Sequence, residues 1–213
     1  SFEKMVTPSQ RLDSAIATLK TTIGEKLKPA VDSAKTALAD LLTKMTGQVD
    51  YSSTYETTLN NLAKASEKLK KAQEEAGDEI NATTIAMQFQ SKVDFWSGIS
   101  KASSQYDNMV KQYSSLTKQQ KEVGKTVEGN MKILQEAAAN TGRTVDEVLT
   151  VLSQAETNRK VDASRILQVD NLPDLMEAAE VLGDNNQKLK EIESQAESTK
   201  NAISDFEKSL AEM

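Results

Sequence analysis

The chain has 213 residues and a net charge of −6, from 32 acidic and 26 basic residues, with neither cysteine nor histidine. Those absences remove disulfides, thiolate metal sites and imidazole-based acid–base or nucleophilic catalysis. Aromatics at 4%, eight glycines and three prolines leave little for a thick globular core or for frequent turns, so long helices with narrow apolar seams are expected.

Thr7 and Pro8 read as the N-cap and first turn of an opening helix, places that suit a capping hydroxyl and a proline. Its seam is Leu12, Ile16, Leu19, Ile23 and Leu27. A kink is expected at Lys28–Pro29, because the residue before a proline is pushed out of the α region. The pattern resumes from Val31 through Leu38, Leu41, Leu42 and Met45 and stops at Gly47. Residues 1–47 therefore read as two amphipathic helices kinked at Pro29.

Residues 48–123 read as a long helical hairpin. Its first arm carries Tyr55, Leu59, Leu62, Leu69 and Ala72 and ends at Gly77, after which Asp78 can cap the second. The second arm runs from Ile85 to Val123, with Gly98 inside it. Phe89, Val93, Trp96 and Tyr106 fall on one seam there and are candidate helix-interaction residues. Intramolecular packing of that aromatic stripe is favoured over a face kept for a partner.

Gly124 and Gly129 mark a weaker region, and 124–183 reads as a cluster of short helices. One holds Met131, Ile133, Leu134 and Ala138 and stops at Gly142; Thr144 to Glu147 then forms a capping box for the next. A further short helix opens at Leu172-Pro173 and is stopped by Gly183, with Gly183-Asp184-Asn185-Asn186 as stop and cap.

Residues 184–213 read as a coiled-coil helix. Leu189, Ile192, Ala196, Thr199, Ile203, Phe206, Leu210 and Met213 alternate at spacings of three and four, the repeat of a left-handed coiled coil. Leu189, Ile192, Ile203, Phe206 and Leu210 are the strongest candidate interaction residues of this stretch. So thin an apolar stripe is marginal alone, so it needs another part of the chain or a second copy, with self-association through 189–213. No asparagine falls on this seam to specify register. Because the seam is still running at Met213 and the chain opens on Ser1, a piece of a longer protein is expected.

The chemistry-bearing residues point away from catalysis. The carboxylate pairs Glu74 and Glu75, Asp146 and Glu147, and Glu191 and Glu193 sit among lysines or on exposed helix faces and read as solvated surface. No calcium loop or phosphate-cradling glycine loop occurs, so no catalytic, cofactor-binding or metal-binding residue is expected. Acidic and basic residues are interleaved without a basic stripe, which argues against a nucleic-acid partner, and no apolar stretch approaches the ~18 residues of a membrane span. Protein partners remain.

The stretch from Leu19 through Ile23-Gly24 and Leu27-Lys28-Pro29 to Val31, followed by Leu38, Leu41 and Leu42, resembles a segment of phage tail tape measure proteins. The resemblance covers about residues 19–42. It implies a long helical protein inside a tail tube, where length is set by residues and no active site is needed, and a place in the virion tail. A type III secretion tip or translocator, or a surface-exposed helical-bundle binding protein, is the runner-up, with a secreted or surface location. A helical pore-forming toxin is third, although the apolar hairpin such toxins carry is missing. The expected fold is all-α, with long antiparallel helices forming an elongated bundle or coiled coil and a short-helix cluster.

Overall fold

The computed structural model describes residues 9–46 and 80–213, together with helical positions 60, 63, 64, 67, 68, 70, 71 and 74. Among the described residues there is no strand; the protein is all-α. The expected turns at Gly47 and Gly77, the seam residues Tyr55, Leu59, Leu62, Leu69 and Ala72 of the expected hairpin's first arm, and the Thr7–Pro8 cap lie outside the described residues.

Helix α1 spans Ser9–Thr21 and α2 spans Lys28–Thr46, joined by a π-helical stretch, Thr22–Leu27. The chain does not break at Pro29. Proline lacks the N–H that would bond the carbonyl of residue 25, and its ring crowds that carbonyl. The wider i→i+5 winding one turn earlier takes up this defect. The buried positions show the same shift. Leu19, Ile23, Leu27 and Val31 follow one another at steps of four, one residue more than alternating steps of three and four would use. The π turn absorbs the extra residue and keeps the seam on one face.

Helix α3 is a single 62-residue helix, Ile80–Thr141. It continues through the weaker region at Gly124 and Gly129. Each glycine weakens a helix interior by about 1 kcal/mol relative to alanine. The buried series Leu116, Val123, Val127, Met131 and Leu134 passes both glycines, and its packing outweighs that penalty. Termination comes at Gly142, which takes φ +65°, a conformation open to glycine. The N–H of Arg143 donates to the Ala138 carbonyl at 2.9 Å and that of Gly142 to Ala139 at 3.4 Å, a Schellman ending.

Helix α4, Val145–Thr157, opens with the capping box read from the sequence. The Glu147 N–H donates to Thr144 Oγ1 at 3.2 Å, and the Thr144 N–H donates to Glu147 Oε2 at 2.8 Å. A five-residue helix α5, Ala163–Leu167, follows, capped by Asp162 and ended by Gln168 in the left-handed region.

Helix α6 runs for 40 residues, Leu172–Ala211, straight through Gly183. The short helix expected to stop there is the first quarter of a long one. Of the cluster expected over 124–183, only α4 and α5 are short helices; its two ends belong to α3 and α6. Pro173 sits in the first turn of α6, where a missing N–H leaves no intrahelical bond unmade.

The chain divides into two compact units, Ser1–Leu27 with Tyr113–Ser198, and Lys28–Gln112 with Thr199–Met213. In the first, Leu12, Leu19 and Leu27 of the N-terminal segment are buried along with Val127 and Leu134 of α3, Leu149 and Leu152 of α4, and Leu182 and Leu189 of α6. The Ser9 N–H donates to Asp146 Oδ1 at 3.0 Å, placing a carboxylate at the start of α1, where the helix dipole favours it. In the second unit the buried residues are Val31, Ala34 and Leu38 of α2, Ile99, Ala102 and Met109 of α3, and Ile203, Phe206 and Leu210 of α6. Gly98 lies against Met213, and residues 105–112 face 202–209, so these parts of α3 and α6 run antiparallel.

Candidate interaction surfaces

The buried face of α6 is one heptad seam. Leu175, Leu182, Leu189, Ala196, Ile203 and Leu210 recur every seven residues, and Ala178, Asn185, Ile192, Thr199 and Phe206 form the interleaved set. The candidates Leu189, Ile192, Ile203, Phe206 and Leu210 are therefore all buried within the chain. The seam begins fourteen residues before Leu189, the point where the sequence reading starts it, because the helix does not stop at Gly183.

That continuity carries a correction. Asn185, read from sequence as part of a cap, lies on the seam between Leu182 and Leu189 and is only 2% exposed. Its Nδ2 is buried without a hydrogen-bond partner among the described residues. A buried unpaired donor costs stability, and an asparagine on a coiled-coil seam is a device that fixes register. Ser103 on α3 is the other buried side chain whose polar atom lacks a partner among the described residues.

The aromatic candidates of α3 behave differently. Val93, Trp96 and Tyr106 are half-buried, and the fully buried positions of that stretch are Ile99, Ala102, Ser103 and Met109. The side chain of Phe89 lies outside the described residues. Phe95 and Trp96 meet edge to face, with ring centroids 5.4 Å apart and planes at 76°. Small residues at 98, 102 and 103 bring helices close here, which displaces the large rings to the flank of the contact. Burial raises the Tyr106 phenol above its ordinary pKa of 10.0, assisted by the negative charges of Asp32 and Asp107.

Two grooves lie on the helix surfaces. In the second unit, a groove of about 440 Å³ runs between α3 and α6, floored by Met109 and Phe206 and rimmed by Gln105, Asn108, Gln112, Asp205 and Ser209. In the first unit, a groove of about 560 Å³ lies between α1 and α3. Val127 and Met131 are buried beneath it, Ile16 is half-buried, and Gly124 also lines it. Lys20, Lys121 and Lys125 line it together with Asp13 and Glu128. A sequence scan for chemistry misses this groove, since none of its residues forms a motif; the one local signal is a glycine inside an otherwise regular helical pattern.

Among the described residues, no group of three or more acidic side chains is placed to hold a metal ion, and no helix is long and apolar enough to cross a membrane. Compared with protein-family models, curated proteins and solved structures, the chain finds no match.

Proposed function

We propose that the chain is a non-enzymatic structural protein that works through helix–helix contact, a helical segment like those of phage tail tape measure proteins. The observation that carries this reading is the pair of uninterrupted helices α3 and α6, of 62 and 40 residues, whose apolar residues are spent on narrow seams. In such helices sequence converts to length at about 1.5 Å per residue, which is the property a length-setting protein needs. The resemblance around residues 19–42 points the same way and would place the protein in a virion tail. A second reading, a type III secretion tip or translocator or a surface-exposed helical bundle, is favoured by the antiparallel course of α3 and α6 in the second unit.

Small-angle scattering with light scattering over a concentration series tests both. The structural-rod reading requires a radius of gyration well above the ~17 Å of a compact chain of this length. A compact monomer at that value would refute it. Concentration-dependent multimers favour the tape-measure reading, and an elongated monomer shifts the weight to the secretion or surface bundle.

A further inference from the structure

We propose that the helical run from α1 through the π turn into α2 is hinged at residues 22–29, a built-in joint at which it bends while its helices stay formed. The inference goes beyond the helix-contact function and does not depend on which reading of that function holds. It stands on one observation at each place where the chain passes from one compact unit to the other: between Leu27 and Lys28, between Gln112 and Tyr113, and between Ser198 and Thr199.

The first passage falls at the end of the π turn, Thr22–Leu27. Such i→i+5 winding is rare, occurs mostly as single turns inside helices, and recurs at functional sites. Pro29 offers no N–H to the carbonyl of residue 25, so one rung of the hydrogen-bond ladder is missing just beyond the turn. Gly24 lies within the turn, and a Cβ there would meet nothing within 4 Å. Packing inside the chain does not ask for glycine at that place, and its backbone is the freest of any residue. Irregular winding, a missing rung and a glycine coincide within eight residues, and each is a recognised origin of helix bending.

The other two passages are weak for a different reason, the small apolar volume buried there. On α3 no side chain between Met109 and Leu116 is fully buried, and Tyr113 is half-buried. The Thr117 hydroxyl donates to the Tyr113 carbonyl at 2.9 Å, a back-bond of the kind that bends helices. On α6 the seam thins from Leu189 and Ile192 to Ala196 and Thr199 before it returns to Ile203 and Phe206. Few buried apolar contacts mark the segments of a protein that open or move at low cost. Flexing of α3 and α6 at these passages disturbs small side chains and leaves Ile99, Leu134, Leu182 and Ile203 in place. A helical structural protein thereby has a point at which it changes course without melting a helix.

The test uses the full chain, which has no cysteine and so accepts paired spin labels at chosen positions. Asp13→Cys with Asp40→Cys puts labels on exposed positions either side of the π turn, about 40 Å apart by helical rise. Lys118→Cys with Glu136→Cys, also exposed, puts a reference pair on α3 inside one unit. Double electron–electron resonance should give the first pair a distance distribution at least twice as broad as the second. Deleting Gly24 removes the residue that the π turn absorbs, and Pro29→Ala restores the missing N–H. Together they should narrow the first distribution to the width of the second. Amide hydrogen exchange on the parent is a separate reading: residues 24–31 should exchange at least tenfold faster than 14–20 and 34–40 on either side. Equally narrow distributions in the parent, or exchange at 24–31 as slow as in its flanks, overturn the hinge. Breadth that persists in a double variant with unchanged far-UV circular dichroism overturns its assignment to the π turn. If the double variant does not fold, the exchange pattern decides by the same tenfold criterion.

Discussion

Asn185 occupies a seam position between the buried Leu182 and Leu189, and its buried Nδ2 has no partner among the described residues. Replacing it by leucine removes an unpaired donor that costs about 1–3 kcal/mol. The leucine adds roughly 1.5–3 kcal/mol of apolar burial, against about 1–3 kcal/mol for the extra volume in a packed contact. The expected net gain is about 2 kcal/mol, a factor of about 30 in the folding equilibrium. Urea unfolding followed by far-UV circular dichroism should show a higher midpoint with an unchanged slope, and thermal melting should rise by about 4–8 °C. Asn185→Ala, which removes the amide without adding volume, should lie within about 1 kcal/mol of the parent, since the relieved donor and better helix propensity offset the small cavity. The reasoning is refuted if both substitutions destabilise by more than about 1.5 kcal/mol, the result expected of an amide with a satisfied partner. Light scattering on the leucine variant adds a second check: with the register device gone, self-association should increase.

Thr144→Ala should destabilise the protein by about 1 kcal/mol in urea, through loss of the capping box, with Glu147→Ala costing no more. Gly142→Ala forces a side chain into φ +65° and should cost about 1–2 kcal/mol, measured in the same way. Leu134→Ala, at a fully buried position on α3, should cost about 3–5 kcal/mol and lower the melting temperature accordingly. Tyr106 predicts an alkaline effect. Its folded pKa lies above the ordinary 10.0, so above that pH the unfolded chain has lost more protons than the folded one, and stability must fall as pH rises. Stability curves for the parent and Tyr106→Phe should coincide at neutral pH and separate above pH 10, with the phenylalanine variant losing less.

The all-α class, the capping box at Thr144–Glu147, the helix stop at Gly142 and the seam from Leu189 to Leu210 are all legible in the amino-acid sequence. These are local matters: a cap is decided within four residues, and a heptad repeat is visible wherever apolar side chains recur at fixed steps. The steps of four through Leu19, Ile23, Leu27 and Val31 match the π turn, which the proline rule by itself does not specify. Where helices fail to stop depends instead on packing between distant segments. Gly124, Gly129 and Gly183 are weak breakers whose penalty of about 1 kcal/mol apiece is overridden by burial of seams that neighbouring helices cover. Continuity through Gly183 in turn moved Asn185 from a cap to the core. The same holds for the aromatic candidates, since the small residues around Gly98 draw the helices together and leave Trp96 and Tyr106 at the edge. The groove at Gly124 exists only because α1 lies along α3, a pairing that no local pattern encodes.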